Sequence, residues 1–293
     1  MTTSIKSELL KNSVAFSISC SRWGNLRRAN KSEVVTGADK DMLRLSKKLV
    51  DSEEYEAVVK LQNRIRKWIE DNSVPSFFHR GVYLIATNTV EKVEQYLDRA
   101  KGTMKEMVEE FINSYREQII DAKEKLGPQF NQADYPSPEY LRNSFSISWK
   151  WMAFDVPNNL PNEVFEAERE KAEKIWTDAT ESIKQCLRES FLKLINNATE
   201  RLTVAPGGKA KVFRDSLINN IEEFLNTFNN RNIVNDTDLQ ELVKKARGIL
   251  VNPKSLRTDV ALRAKVANEF DTVSKALGKM IVTKPSRKFC FDD

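Results

Sequence analysis

One histidine, His79, is the only imidazole in the chain, so any Ser–His or Cys–His nucleophile would have to use it. It follows Phe77-Phe78 with no nucleophile motif beside it, and a structural or incidental role is the better reading. Cys20, Cys186 and Cys290 are far apart and outside any CxxC spacing. That pattern fits reduced, buried or idle thiols, and neither zinc nor a disulfide framework is expected. The chain has no GxxxxGK(S/T), GxGxxG or HExxH motif. Gly207-Gly208-Lys209 has the composition of a phosphate loop without the strand–loop–helix context. Glu109-Glu110, Glu222-Glu223 and Asp292-Asp293 are neighbours in sequence and would diverge on a helix, so they read as solvated faces rather than magnesium ligands. No catalytic residue, metal site or cofactor is therefore assigned, and the expected protein is not an enzyme.

Two groups of side chains suit binding. Arg22, Arg27, Arg28 and Lys31 surround Trp23, which sets phosphate-pairing charge beside a ring able to stack on a base. The same cluster would also serve an acidic protein surface or pair internally with helix acids. The C-terminal Lys244, Lys245, Arg247, Lys254, Arg257, Arg263 and Lys265 carry the same ambiguity. The second group is Trp149, Lys150 and Trp151. On a strand both indoles would project from one face with Lys150 opposite. They read as a small core, as an aromatic anchor for a partner, or as a membrane-inserting tongue, the last weakened by the central lysine.

The charge balance is uneven. The net charge is +5, but residues 1–50 carry ten Lys/Arg against four Asp/Glu, and residues 203–293 carry 16 against 11. The middle of the chain is slightly acidic. Nine glycines in 293 residues disfavour flexible linkers and tightly turned all-β folds. No apolar run reaches the ~18–20 residues that cross a bilayer, and the N-terminus lacks the apolar core of a signal peptide. Membrane association is not expected, and a cytoplasmic location is.

The elements that must position these groups follow from periodicity. Residues 13–20 alternate, with Val14, Phe16, Ile18 and Cys20 on one face, and predict a strand. Residues 39–50 place Met42, Leu45 and Leu49 on one helical face, and a second helix is predicted to about residue 71. Residues 73–88 break the helical pattern. Residues 89–126 and 162–202 each carry apolar positions at alternating three- and four-residue spacing. Their matching lengths predict a long antiparallel coiled-coil-like hairpin. Residues 127–161, interrupted by prolines, would form a small β-containing tip insertion. Within it, the FSIS of residues 145–148 repeats the FSIS of residues 16–19, which raises the prospect of two strands paired in one sheet. After Pro206-Gly207-Gly208 three shorter helices are predicted. The expected fold is mainly α, in three parts. Residues 1–88 supply a basic segment of the base, 89–202 the hairpin with its tip, and 203–293 a basic helical region and tail.

The run FSISCSRWGNLRRANKSE at residues 16–33, followed by two long helices, resembles an uncharacterised family of bacterial and phage proteins. Its members are often encoded near MoxR/cobaltochelatase-type AAA+ ATPases and von Willebrand A-type proteins. The resemblance implies a phage or prophage origin, hence the host cytoplasm, and an adaptor role beside an ATPase. It implies no catalytic residue. The functional expectation is a non-enzymatic adaptor or oligomeric scaffold with a protein partner, an AAA+ ATPase among the candidates, and with self-association as a further expectation. The alternative is a nucleic-acid-binding protein that uses its basic ends.

Overall fold

The computed structural model describes residues 9, 11–75, 81–153, 161–203 and 214–281. His79, residues 206–209 and the segment that contains Cys290 lie outside the described residues. The protein is mainly α with small antiparallel sheets. It divides into two compact units. The first comprises Met1–Phe16, Glu70–Val90 and Trp151–Asp293; the second comprises Ser17–Ile69 and Glu91–Lys150.

The strands are β1 (Ser13–Ser21), β2 (Leu26–Arg28), β3 (Ser46–Lys48), β4 (Val74–Pro75), β5 (Val82–Ala86) and β6 (Ser146–Met152). One sheet runs β4-β5-β1-β6 and the other pairs β2 with β3. The two FSIS segments therefore lie on neighbouring strands, β1 and β6. Near one end of the pair the Ser21 and Ser146 hydroxyls are 2.7 Å apart, and near the other the Phe16 and Trp151 rings meet at 4.8 Å.

The second unit is organised by two antiparallel helices, α1 (Glu53–Asp71) and α2 (Val90–Leu126). Helix α1 begins where the Ser52 hydroxyl accepts the Tyr55 amide, with Glu53, Glu54 and Glu56 in the first turn opposing the helix dipole. Helix α2 stops at Gly127, whose φ of +49° is the left-handed conformation that frees the chain from the helix. Contacts between the two run in opposite directions along the chain. Tyr55 meets Phe111 at 5.6 Å, the Gln62 amide reaches Met104, and Trp68 stacks on Tyr96 at 3.9 Å. The buried stripe of α2 is Val93, Leu97, Ala100, Met104, Val108, Phe111, Ile112, Tyr115 and Ala122. Trp23, Tyr55, Phe111, Tyr115 and Phe145 form one aromatic cluster. A short helix, α3 (Pro138–Ser144), is capped by the Ser137 hydroxyl and tied to α2 by paired hydrogen bonds from Arg142 to Glu109.

The first unit is built on α4 (Asn162–Leu202), α5 (Ser216–Arg231), α6 (Thr237–Ile249), α7 (Pro253–Thr258) and α8 (Val260–Met280). Helices α4 and α8 pack antiparallel. Arg263 donates to the Leu202 carbonyl at 3.0 Å near one end, and Arg188 donates to the Met280 carbonyl at 2.9 Å near the other. Both arginines thereby satisfy carbonyls at the C-terminal ends of helices, which lack intrahelical partners. Phe191 stacks on Phe224 of α5 at 4.8 Å, and the core extends to Val82, Leu84 and Ala86 of β5.

Several expectations change. Within its own unit, the buried stripe of α2 meets α1, and α4 packs along α8. A repeating apolar seam states that a helix needs a partner and carries no address for which one. The buried stripe of α4 runs through Trp176, Ala179, Ile183, Leu187, Phe191, Ile195, Ala198 and Leu202. Residues 39–50 form no α-helix. They make a 3-10 turn at Lys40–Met42 and then β3, because Leu26 to Arg28 supply a strand for pairing, in register Leu26↔Lys48. Residues 127–150 pack against the N-terminal segment of the second unit instead of forming a separate tip. Tyr135 donates to the Leu49 carbonyl at 2.9 Å, and the Gln129 side chain exchanges two hydrogen bonds with the backbone of Asn30. The last predicted helix is interrupted at Asp259, which caps α8 by accepting from the Leu262 amide.

Burial pushes the phenol pKa values of Tyr55, Tyr115 and Tyr135 upward. Tyr115 is the extreme case. Its hydroxyl is enclosed with no hydrogen-bond partner among the described residues, so a phenolate there would be neither solvated nor paired. A folded-state pKa above the ordinary 10.0 favours folding fully below about pH 10 and loses that contribution as pH rises further. Phenolate absorbance should therefore show these tyrosines ionising only together with the loss of near-UV circular dichroism above about pH 10. A free-tyrosine titration in the folded state would contradict this.

Candidate interaction surface

Trp23 is only 4% exposed. Its ring packs on Tyr55, Phe111 and Tyr115 with centroid distances of 6.1, 6.4 and 6.1 Å, and its carbonyl accepts the Tyr55 hydroxyl. It is a core residue of the second unit and presents no face to a base. The sequence signal of a tryptophan among arginines identified a segment boundary instead. The cations lie on the polar side and Trp23 is the plug.

The cations around it remain at the surface. Arg22 reaches Gln62 at 3.3 Å, and Arg27 folds back onto the Gly24 and Leu26 carbonyls. Lys31 pairs with Asp41 at 3.2 Å, where the carboxylate is 94% exposed, so water and salt weaken the pair. Arg28 is exposed. Antiparallel pairing brings further cations alongside, because Arg27 and Arg28 of β2 lie opposite Lys47 and Ser46 of β3. Asn25 locks this ribbon to the core by exchanging hydrogen bonds with the backbone of Val50, at 2.7 and 2.8 Å. Residues 22–48 hold eight Lys/Arg against three Asp/Glu, which equals the net excess of the whole chain. Leu26, Val35 and Met42 are exposed apolar residues of the same segment.

A groove of about 680 Å3 lies beside the ribbon, lined by Arg28, Lys31, Lys47, Gln129, Phe130 and Asp134 among others. Lys47 and Asp134 neutralise each other at 2.7 Å in partial burial. Phe130 is half-buried, and its ring stacks on Tyr135 at 5.1 Å. Sequence reasoning did not single out Lys40, Arg44, Lys47, Lys48 or Phe130. Only strand pairing and the return of residues 127–135 to the ribbon place them together.

The second group is spread along β6. The Trp149 indole donates to Glu94 at 2.9 Å, with the Lys101 ammonium 5.7 Å from its ring centroid. Trp151 packs on Phe16. Both indoles are half-buried, and Lys150 is exposed. At the C-terminal end the three arginines are engaged, whereas Lys244, Lys245, Lys254 and Lys265 are exposed. Arg247 bonds the Leu225 carbonyl, Arg257 pairs with Asp215, and Arg263 is 6% exposed and bonds the Arg201 and Leu202 carbonyls. Among the described residues no group of three or more potential metal ligands converges. None of the described helices is long and apolar enough to cross a membrane.

Residues 10–247 match the family model described as "Protein of unknown function (DUF3150)". The chain belongs to the DUF3150 family. No curated protein and no solved structure matches it. The matched stretch of this DUF3150 protein contains the whole basic ribbon, the groove and β6. It ends at Arg247, ahead of α7 and α8. Helix α8 nevertheless covers the seam of α4, a helix that lies wholly inside the match.

Proposed function

We propose that this DUF3150 protein is a non-enzymatic interaction protein, an adaptor or oligomeric scaffold, whose docking face is the basic ribbon at residues 22–48. A net charge of +5 within residues 22–48, together with exposed Leu26, Val35 and Met42, carries this reading. Long-range attraction steers an acidic partner to such a surface, and the apolar residues supply contacts that exclude water once it docks. An AAA+ ATPase is the first protein partner to test, in line with the resemblance noted for residues 16–33. A phage origin belongs to the same proposal. The nucleic-acid reading is favoured by one observation, the exposed row of cations on the ribbon. It is weaker for the C-terminal end, where three of the arginines are occupied internally.

The test compares the wild type with Arg28→Glu/Lys40→Glu/Arg44→Glu in affinity purification from the native host. A Lys244→Glu/Lys245→Glu variant serves as control. Loss of the co-purifying partners from the ribbon variant alone is expected. An identical partner set from all three proteins would reject the ribbon as the docking face.

A further inference from the structure

The geometry points to the groove between the β2–β3 ribbon and residues 127–134 as a binding site for a single-stranded nucleic acid. This rests on the ribbon being the docking face and names an occupant for the groove at its edge, beside the protein partner.

Three features of the groove argue for it. First, the groove has a cation to spare. Lys47 is used up by Asp134 and the Gln129 carbonyl. The Arg28 side chain, by contrast, has no hydrogen bond or ion pair among the described residues, and it lines the same groove. Lys31 beside it is held only by the highly exposed Asp41, a partner that a phosphate readily displaces. A guanidinium and an ammonium three residues apart suit a phosphodiester backbone.

Second, the groove has an aromatic wall. The Phe130 ring lines it and is braced from behind by Tyr135 at 5.1 Å and 22°. Tyr135 is itself anchored by its hydroxyl to the Leu49 carbonyl. A braced ring beside cations is the arrangement on which unpaired bases stack, whatever their identity. A base inside a duplex already has neighbours on both faces and gains nothing from such a ring. That favours a single strand over double-stranded DNA and over an acidic peptide, which has carboxylates but no base to stack.

Third, the mount is rigid. The Gln129 side chain and the Asn30 backbone exchange hydrogen bonds of 2.8 and 2.9 Å. This pins the aromatic wall to the strand that carries Arg28, so little ordering is left for binding to supply. With the amide of Gln129 committed to that pin, the groove offers few free groups for reading base edges, and little sequence preference is expected.

The test is fluorescence anisotropy of the full chain with labelled oligodeoxythymidylate and with an abasic strand of equal length. The wild type should bind the oligodeoxythymidylate more tightly than the abasic strand. Phe130→Ala should weaken it by about five- to 150-fold while leaving the abasic strand unaffected. Arg28→Ala should weaken both and reduce the salt-dependence slope by about 1. Phe130→Leu keeps the apolar volume without a flat face, and it should behave like Phe130→Ala if stacking is the cause. Circular dichroism checks that each variant is folded. Equal binding of both strands by the wild type, with Arg28 still required, would overturn the groove assignment and leave the ribbon as a general polyanion-docking face. Binding of neither strand would overturn the nucleic-acid site, while the partner purification above judges the ribbon separately.

Discussion

Phe111→Ala is expected to destabilise the second unit by about 3–5 kcal/mol. Phe111 is fully buried on α2 and lies at the centre of the aromatic cluster. It touches Trp23, Tyr55, Tyr115 and Phe145 at centroid distances of 6.4, 5.6, 5.6 and 6.1 Å. Removing the ring forfeits its transfer from water and leaves a cavity whose walls are other rings. Those rings belong to two helices and to the connecting segments at Trp23 and Phe145, which cannot all close in at once, so the cost belongs at the upper part of the range for large-to-small changes. The expected measurement is a lowered urea midpoint, with amide exchange accelerated in α1 and α2. Phe130→Ala, at the surface groove, should show no such acceleration. A Phe111→Ala protein with unchanged exchange in both helices would show that the cluster does not hold the unit together.

Asp236→Ala is expected to cost about 3–5 kcal/mol through a different mechanism. The Asp236 side chain is 2% exposed and its Arg188 partner 14%. The pair is bidentate, at 2.7 and 2.9 Å. The same carboxylate accepts the Leu239 amide as the N-cap of α6, and Arg188 also holds the last carbonyl of α8. One buried pair therefore ties α4, the start of α6 and the end of α8. Truncating Asp236 leaves a guanidinium in a largely dry site and uncaps a helix, and the second effect alone is worth about 1 kcal/mol. Asp236→Asn separates the two, because asparagine keeps the cap acceptor and loses the charge. Arg188→Met/Asp236→Ala should cost clearly less than the sum of Arg188→Met and Asp236→Ala, since no unpaired charge remains. Thermal or denaturant unfolding of the four variants reads these differences. Strict additivity would mean that the pair is not coupled.

Much of the local structure was legible in the sequence. The starts and ends of both long helices, Val90–Leu126 and Asn162–Leu202, follow from apolar spacing and from stop signals such as Gly127. The helix expected at residues 39–50 failed because three apolar residues at helical spacing are weak evidence. A strand partner twenty residues upstream offered backbone hydrogen bonds that twelve isolated residues could not match with helical ones. The candidate site was half legible. Arg28 and Lys31 stood out by charge, whereas Phe130 lies a hundred residues away and is brought to them by tertiary contacts such as the Gln129–Asn30 pair. Trp23 misled because a large apolar ring among charges satisfies two opposite descriptions, a stacking platform and a core plug, and only burial separates them.

By itself, the sequence determined the secondary structure class, the length of the long helices and the uneven distribution of charge, because these depend on side-chain type and on spacing of three to four residues. The tertiary structure decided which helix fills each seam, which tryptophans are core, and which cations remain available. Those outcomes depend on contacts between residues distant in sequence, where burial and hydrogen-bond satisfaction choose among partners that periodicity leaves equivalent.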